Sequence, residues 1–253
     1  MPRIEIEDDS TLIVIDCPYY ERKNSQYYTF PMGIIINKNY IVTISSRKQE
    51  VLRLVRRNII KKVFTNMKSR FIIQILYHNS RLYLKYLKLI DKNIDKSEKS
   101  LQSYSRNEEL VSMLNIEKSL VYFINSLREN HKLTEKLNKG NIIPLYEEDL
   151  ELLEDAQIEN QQAIDMSNTY REVLGSISDA YANIISNDLN QAMKVLTSIT
   201  IVFSVPTMLS SFMGMNVPLG KFSNSSGAVY IILFVSIIFS LILALYLRKK
   251  KLL

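Results

Sequence analysis

The chain is poor in the residues that turn or staple a backbone. Only six of its 253 residues are glycine and six are proline, which suits long helices with few interruptions. A single cysteine, Cys17, excludes an internal disulfide and argues against a structural zinc cluster. The two histidines, His78 and His131, stand far apart with no ligand spacing around them and read as surface or packing residues. A Gly-rich phosphate loop, a nucleophile motif and clustered His or Cys ligands are all missing, so the chain is not expected to be an enzyme. The opening Met1-Pro2-Arg3-Ile4-Glu5 has no apolar core, and no signal peptide is expected there.

Charge is plentiful but segregated. The net charge is +6, which invites a nucleic-acid reading. Residues 47–99 hold 15 Lys and Arg against 4 acids, whereas residues 147–190 hold 11 acids against the single base Arg171. Blocks of opposite sign can complement each other within one fold or between subunits. No aromatic-basic interleaving of the kind that stacks bases accompanies them, so no nucleic-acid partner is expected.

The first 45 residues read as short strands. Residues 3–7 alternate, residues 12–15 form an apolar β-branched run closed by Pro18, and a hairpin is predicted across residues 33–44, turning at Asn37-Lys38-Asn39. From Gln49 the period becomes helical, with Val51, Leu54 and Val55 on one face; residues 71–75 fit helix or strand. Residues 82–137 contain no Pro or Gly. Leu84, Leu87, Ile94 and Leu101, then Leu110, Leu114, Val121 and Ile124, keep near a seven-residue pattern. Two long antiparallel helices are predicted, turning within 103–109 and ending at Lys139-Gly140-Asn141. After Pro144 no proline occurs until Pro206, which allows a helical rod of roughly 90 Å at 1.5 Å per residue.

That rod runs into an uncharged stretch at 195–213, long enough to cross a hydrocarbon core roughly 30 Å thick, and 228–247 is a second such span. The bland alternative is a buried core hairpin. The loop between the spans is short and carries one lysine, Lys221, while Lys194 and Arg248-Lys249-Lys250-Lys251 flank the spans on the other side. The positive-inside rule then puts both termini in the cytoplasm. The expected organisation is an N-terminal cytoplasmic domain over 1–144, a stalk and first transmembrane helix over 145–213, an outer loop over 214–227, a second transmembrane helix over 228–247 and a basic tail over 248–253.

The first span has a polar face. Counting 3 and 4 alternately gives Thr197, Thr200, Ser204, Thr207 and Ser211; counting backwards gives Met193, Asn190, Ser186, Asn183, Asp179, Ser176 and Glu172. Below Asn190 such a face is what any solvated helix shows. Within a bilayer a lone hydroxyl is cheap, because it can bond its own helix, but five in register argue for a water-lined or helix-contact face. One hairpin cannot enclose water, so several copies must surround an axis.

The residues that follow are Phe212-Met213-Gly214-Met215-Asn216. With Pro206-Thr207 about ten residues before, Asn190-Gln191-Ala192-Met193-Lys194-Val195-Leu196-Thr197 leading into the span, and a basic tail after the second span, the C-terminal part resembles the CorA family of magnesium channels. The signature of that family is Gly-Met-Asn at the outer end of the first of two transmembrane helices. The resemblance implies a mainly α membrane protein with a small N-terminal α/β cytoplasmic domain, a stalk helix continuing into the first transmembrane helix, and a homopentameric funnel around a central pore. It implies Mg2+ as the transported and regulatory ion, Co2+ or Ni2+ as lesser substrates, and a plasma-membrane location, here in a bacterium.

Carried over by position, the resemblance makes Gly214, Met215 and Asn216 the selectivity filter. It makes Asn190, Met193, Leu196, Thr197, Thr200, Ser204, Thr207 and Ser211 pore-lining, with Met193 and Leu196 as a constriction that gates by dewetting. Asp155 would bind regulatory Mg2+, and Asp179, on the polar face below the span, is a further candidate metal ligand. Three positions depart from the family's habit: Met213 replaces an aromatic, Ser204 replaces a large apolar gate residue, and the outer loop lacks an acid. The competing readings are a zinc transporter of a related branch, against which Met215 argues, and a non-conducting membrane receptor or tether, which leaves the hydroxyl face unexplained.

Overall fold

The computed structural model describes residues 1–57, 59–60, 66–100, 106–139, 142–215 and 227–250. Four strands, β1 (Arg3–Glu7), β2 (Ser10–Glu21), β3 (Gln26–Asn37) and β4 (Ile41–Ser45), form one antiparallel sheet in sequential order. Among the described residues the helices that follow are α1 (Glu50–Arg56), α2 (Lys68–Ser100), α3 (Arg106–Lys139), α4 (Glu147–Met213) and α5 (Ala228–Lys249). The described chain divides into two compact units, Met1–Ser178 and Asp179–Leu253.

The predicted β3–β4 hairpin and the strand β1 are present, but Pro18 does not close β2. The strand runs on to Glu21 and pairs with β3 as a twelve-residue ribbon, including Pro18 opposite Thr29 and Asp16 opposite Pro31. Both prolines are tolerated because the ribbon outruns its neighbours. β1 pairs with β2 only up to Val14, and β4 pairs with β3 only from Met32 onward. Each proline nitrogen therefore faces an open edge, where no ladder donor is required.

Side chains from α3 take the place of the missing strands. The Asp16 backbone N–H donates to Asn130 Oδ1 (3.0 Å) and its carbonyl accepts from Asn130 Nδ2 (2.8 Å). The same carbonyl accepts from Asn79 Nδ2 (2.9 Å) and the Tyr83 hydroxyl (3.1 Å) on α2. On the other edge the Tyr27 N–H donates to Ser119 Oγ (3.2 Å). These bonds pin the ribbon to both helices, and they satisfy backbone groups that burial would otherwise leave unpaired.

The core of the first unit lies between the sheet and the helices. Ile13, Ile15, Met32 and Ile34 pack with Val51 of α1, Ile72, Ile73 and Ile75 of α2, Leu137 of α3 and Leu153 of α4. Residues 71–75 are thus helix. On α2 the predicted face is buried at Leu84, Leu87 and Ile94, while Leu101 lies outside the described residues. On α3 the seven-residue pattern picks the wrong face: Leu114 and Val121 are exposed, and Met113, Ile116, Leu120, Phe123 and Leu127 are buried beside Ile124. Aromatic contact between Phe123, Tyr27 and Tyr83 fixes this rotation.

The start of α4 is anchored on this unit. Asp149, in its first turn, accepts from the Tyr146 N–H (3.3 Å) and pairs with Arg70 Nε (3.0 Å), while Glu148 also pairs with Arg70. Further along, Asn160 Nδ2 donates to the Leu127 carbonyl (2.9 Å), and Ala156, Ala163 and Ser167 are buried. The first unit therefore takes in the part of α4 up to Ser178.

Candidate ion-conduction face

The second unit holds the rest of α4 and α5. Both helices include windows long and apolar enough to cross a membrane, and only 6% of the residues in either window are buried. A core hairpin would bury most of them, so the core-hairpin alternative fails.

α5 returns along α4. Leu247 lines a groove with Asn187, Asn190, Met193, Lys194, Thr197 and Ser198, and Ser240 meets Val202. Ser198 is buried, and Val202, Val205, Pro206 and Leu209 are half-buried; these positions recur at 3 and 4 and form one face. Thr200, Ser204, Thr207 and Ser211 lie on the opposite side of the helix and are exposed. Asn190, Met193, Leu196 and Thr197 are exposed as well, although Asn190, Met193 and Thr197 border the groove beside Leu247. α5 covers one side of α4 and leaves Thr200, Ser204, Thr207 and Ser211 open.

The hydroxyls are oriented by their own helix. Thr200 Oγ1 donates to the Leu196 carbonyl (2.9 Å), Ser204 Oγ to Ile201 (2.7 Å) and Thr207 Oγ1 to Phe203 (2.9 Å). With the proton turned back, each oxygen presents only lone pairs outward. At these three positions the face presents acceptors.

Pro206 interrupts this helix at one backbone position. It has no N–H to give the Val202 carbonyl four residues earlier, and Ser240 Oγ of α5 donates to that carbonyl instead (3.4 Å). The sequence reading overlooked Ser240; its signal is a hydroxyl in the second span with a proline-freed carbonyl to match.

At its C-terminal end α4 stops at Met213. Gly214 N–H donates to the Ser210 and Ser211 carbonyls (3.1 and 3.2 Å). A Cβ on Gly214 would come no nearer than 3.5 Å to Ser211 O, so the chain's own helix does not demand glycine there. Met215 is exposed, and Asn216, the predicted filter amide, lies outside the described residues.

Neither candidate metal ligand stands in a cluster of ligating side chains among the described residues. Asp155 and Asp179 are both exposed on α4. Among the described residues no group of three or more His, Cys, Asp or Glu is placed to hold a metal ion. Mg2+ is usually held by one or two carboxylates with several retained waters, so a single Asp can contribute but does not make a site.

Two exposed apolar helices carried on an α/β unit define a membrane protein of the two-helix type. Comparison with known proteins makes the class specific: a model of the family described as CorA-like Mg2+ transporter protein matches residues 1–249, and the chain belongs to that family. It is 29% identical over 254 residues to the cobalt/magnesium transport protein CorA of Methanocaldococcus jannaschii, covering 99% of this chain and 79% of that protein. It is 24% identical over 257 residues to the cobalt/magnesium transport protein CorA of Thermotoga maritima, covering 99% of this chain and 72% of that one. The complete structure of the CorA magnesium transporter from M. jannaschii superposes with a TM-score of 0.85 at 30% identity, over 98% of this chain and 78% of that one. The small antiparallel sheet, the long helix and the apolar helix after it are common to both.

Proposed function

We propose that the protein is a divalent-cation channel that passes Mg2+ down its electrochemical gradient, with Co2+ and Ni2+ as lesser substrates. Five copies surround one pore, and the hydroxyl face of α4 lines it. The observation that carries this reading is the polarity of that face. A hydrated cation presents water hydrogens, which donate, and the Thr200, Ser204 and Thr207 oxygens are left free to accept. Magnesium sheds its inner waters reluctantly, so a surface of acceptors that leaves those waters in place suits it.

At the outer mouth the Gly214 carbonyl and the Asn216 amide form the filter, with Met215 between them. Asn190 forms a second ring at the inner mouth, and Met193 and Leu196 supply an apolar constriction that closes by dewetting. The reason for glycine at 214 is then the approach of neighbouring copies. Both termini face the cytoplasm, and the channel sits in a bacterial plasma membrane. Internal Mg2+ regulates it through Asp155, with Asp179 as a second ligand position, each site being completed by an acid from an adjacent copy.

Asn216→Ala tests the filter. Purified full-length protein reconstituted into liposomes should lose Mg2+ influx while keeping the subunit count of the parent. Undiminished flux in the variant refutes the filter assignment, and absence of flux from the parent refutes the channel.

A further inference from the structure

Among the described residues, two rows of charge on the first unit take part in no ion pair. On α2, Arg81, Lys85, Lys88 and Lys92 recur at 4, 3 and 4 and are all exposed. Among the described residues none of them is in an ion pair, and Arg81 only lies over the Tyr77 ring, 5.6 Å from its centroid. Like charges at such spacing repel. On α4, Glu154, Asp165 and Glu172 are 11 and 7 residues apart, which puts them at nearly one angle on the helix. They too are exposed and in no ion pair among the described residues; the Asp165 carboxylate accepts from Gln161 Nε2 (2.9 Å).

The two helices run in parallel with a constant offset. Arg70 pairs with Asp149, Ser80 Oγ donates to the Ala156 carbonyl (3.4 Å), and Asp91 and Asp95 act on the Tyr170 phenol, whose pKa burial raises first and these acids raise further. Each α2 residue thus stands level with the α4 residue about 77 further along the chain. Beside the cation row, a cleft of 690 Å³ opens between the helices, lined by Arg81, Lys85, Lys88 and Leu89 of α2 and by Glu159 and Gln162 of α4.

We propose that the α2 cation row of one copy docks on the Glu154–Asp165–Glu172 row of α4 in the adjacent copy. This rests on the cyclic assembly proposed above. Rotation about an axis along α4 keeps every residue at its own height, so residues level within one chain are level between neighbours. Lys88 then meets Asp165 of the next copy, and Arg81 falls within a turn of its Glu154. Each copy supplies one row to each neighbour, so the ring closes with every row occupied. The contact is electrostatic and partly exposed, and salt loosens it.

Two full-length copies with different tags, one carrying Lys88→Cys and the other Asp165→Cys, are co-expressed and mildly oxidised. Native Cys17 is buried and does not compete. A covalent product bearing both tags should form in several-fold excess over a control that pairs Lys88→Cys with Glu117→Cys on the exposed side of α3. Lys88→Glu should lower the salt concentration at which the assembly dissociates, with each contact weakened by about fivefold at most. Adding Asp165→Lys to the same chain should restore it. A product no greater than the control, with the subunit count intact, overturns this interface and leaves the channel reading standing. A monomeric parent overturns both. Assembly that fails only when anionic lipid is withdrawn, with no excess product, assigns the cations to the bilayer and overturns the interface.

Discussion

Asp16 is held by its backbone more than by its carboxylate. Four hydrogen bonds reach its peptide groups, whereas the carboxylate receives only the Ser126 hydroxyl (3.1 Å) among described residues. Burial raises the pKa of this carboxyl, and the bond from Ser126 offsets part of the shift. The folded state therefore holds its proton more tightly than the unfolded chain does. Stability contributed by this group rises as pH falls through the folded value towards the ordinary carboxylate range, and it is lost as pH rises again. Thermal unfolding of the full-length protein in detergent should show that gain on acidification, and Asp16→Asn should flatten it while leaving the fold intact. An unchanged pH profile in the variant would mean that other carboxylates carry the dependence. Nothing in the local sequence marks Asp16, because its partners at 79, 83, 126 and 130 lie on helices remote in the chain. The Asn37-Lys38-Asn39 turn was legible for the opposite reason: its signal is confined to adjacent residues.

At the scale of elements, the polar face of α4 was legible because a helix converts spacing into direction. The 3-and-4 count placed Thr200, Ser204, Thr207 and Ser211 on one side, and the packing of α5 on the other side agrees with it. The direction of the hydroxyl protons was not legible, since it depends on which carbonyl each side chain reaches. On α3 the count misled, because two apolar faces compete and the aromatic contacts of Phe123 choose between them. Pro206 and Ser240 act as a pair across α4 and α5, and a double-mutant cycle should show it. Ser240→Ala alone should cost about 0.6 kcal/mol in the stability of the membrane unit, a typical value for hydrogen bonds in bilayers. In a Pro206→Ala background the restored N–H serves the Val202 carbonyl, and the same Ser240→Ala change should cost close to nothing. Equal costs in the two backgrounds, measured by unfolding in mixed micelles, would show that the two residues act independently.

For the whole molecule, family membership was legible from a short C-terminal stretch, while the proposed assembly would draw on surfaces that one chain leaves exposed. Asp155 is one of them, on a face of α4 with no cation beside it among the described residues. In liposomes, the inhibition of Mg2+ flux by internal Mg2+ should weaken in Asp155→Ala, with the half-inhibiting concentration moving upward. An identical inhibition curve would leave Asp155 as an ordinary surface acid. The ribbon of β2 and β3 bears on assembly from the other direction. Strand edges are where sheets recruit strands from other molecules. Here Asn130 occupies the open edge at Asp16 and Ser119 the one at Tyr27, and the outermost strands, β1 and β4, are five residues each. A sheet finished in this way offers little free edge to a strand from another molecule. In the proposed assembly, contact between copies would fall to helices, whose meeting can be undone and remade without unpicking a hydrogen-bonded ladder.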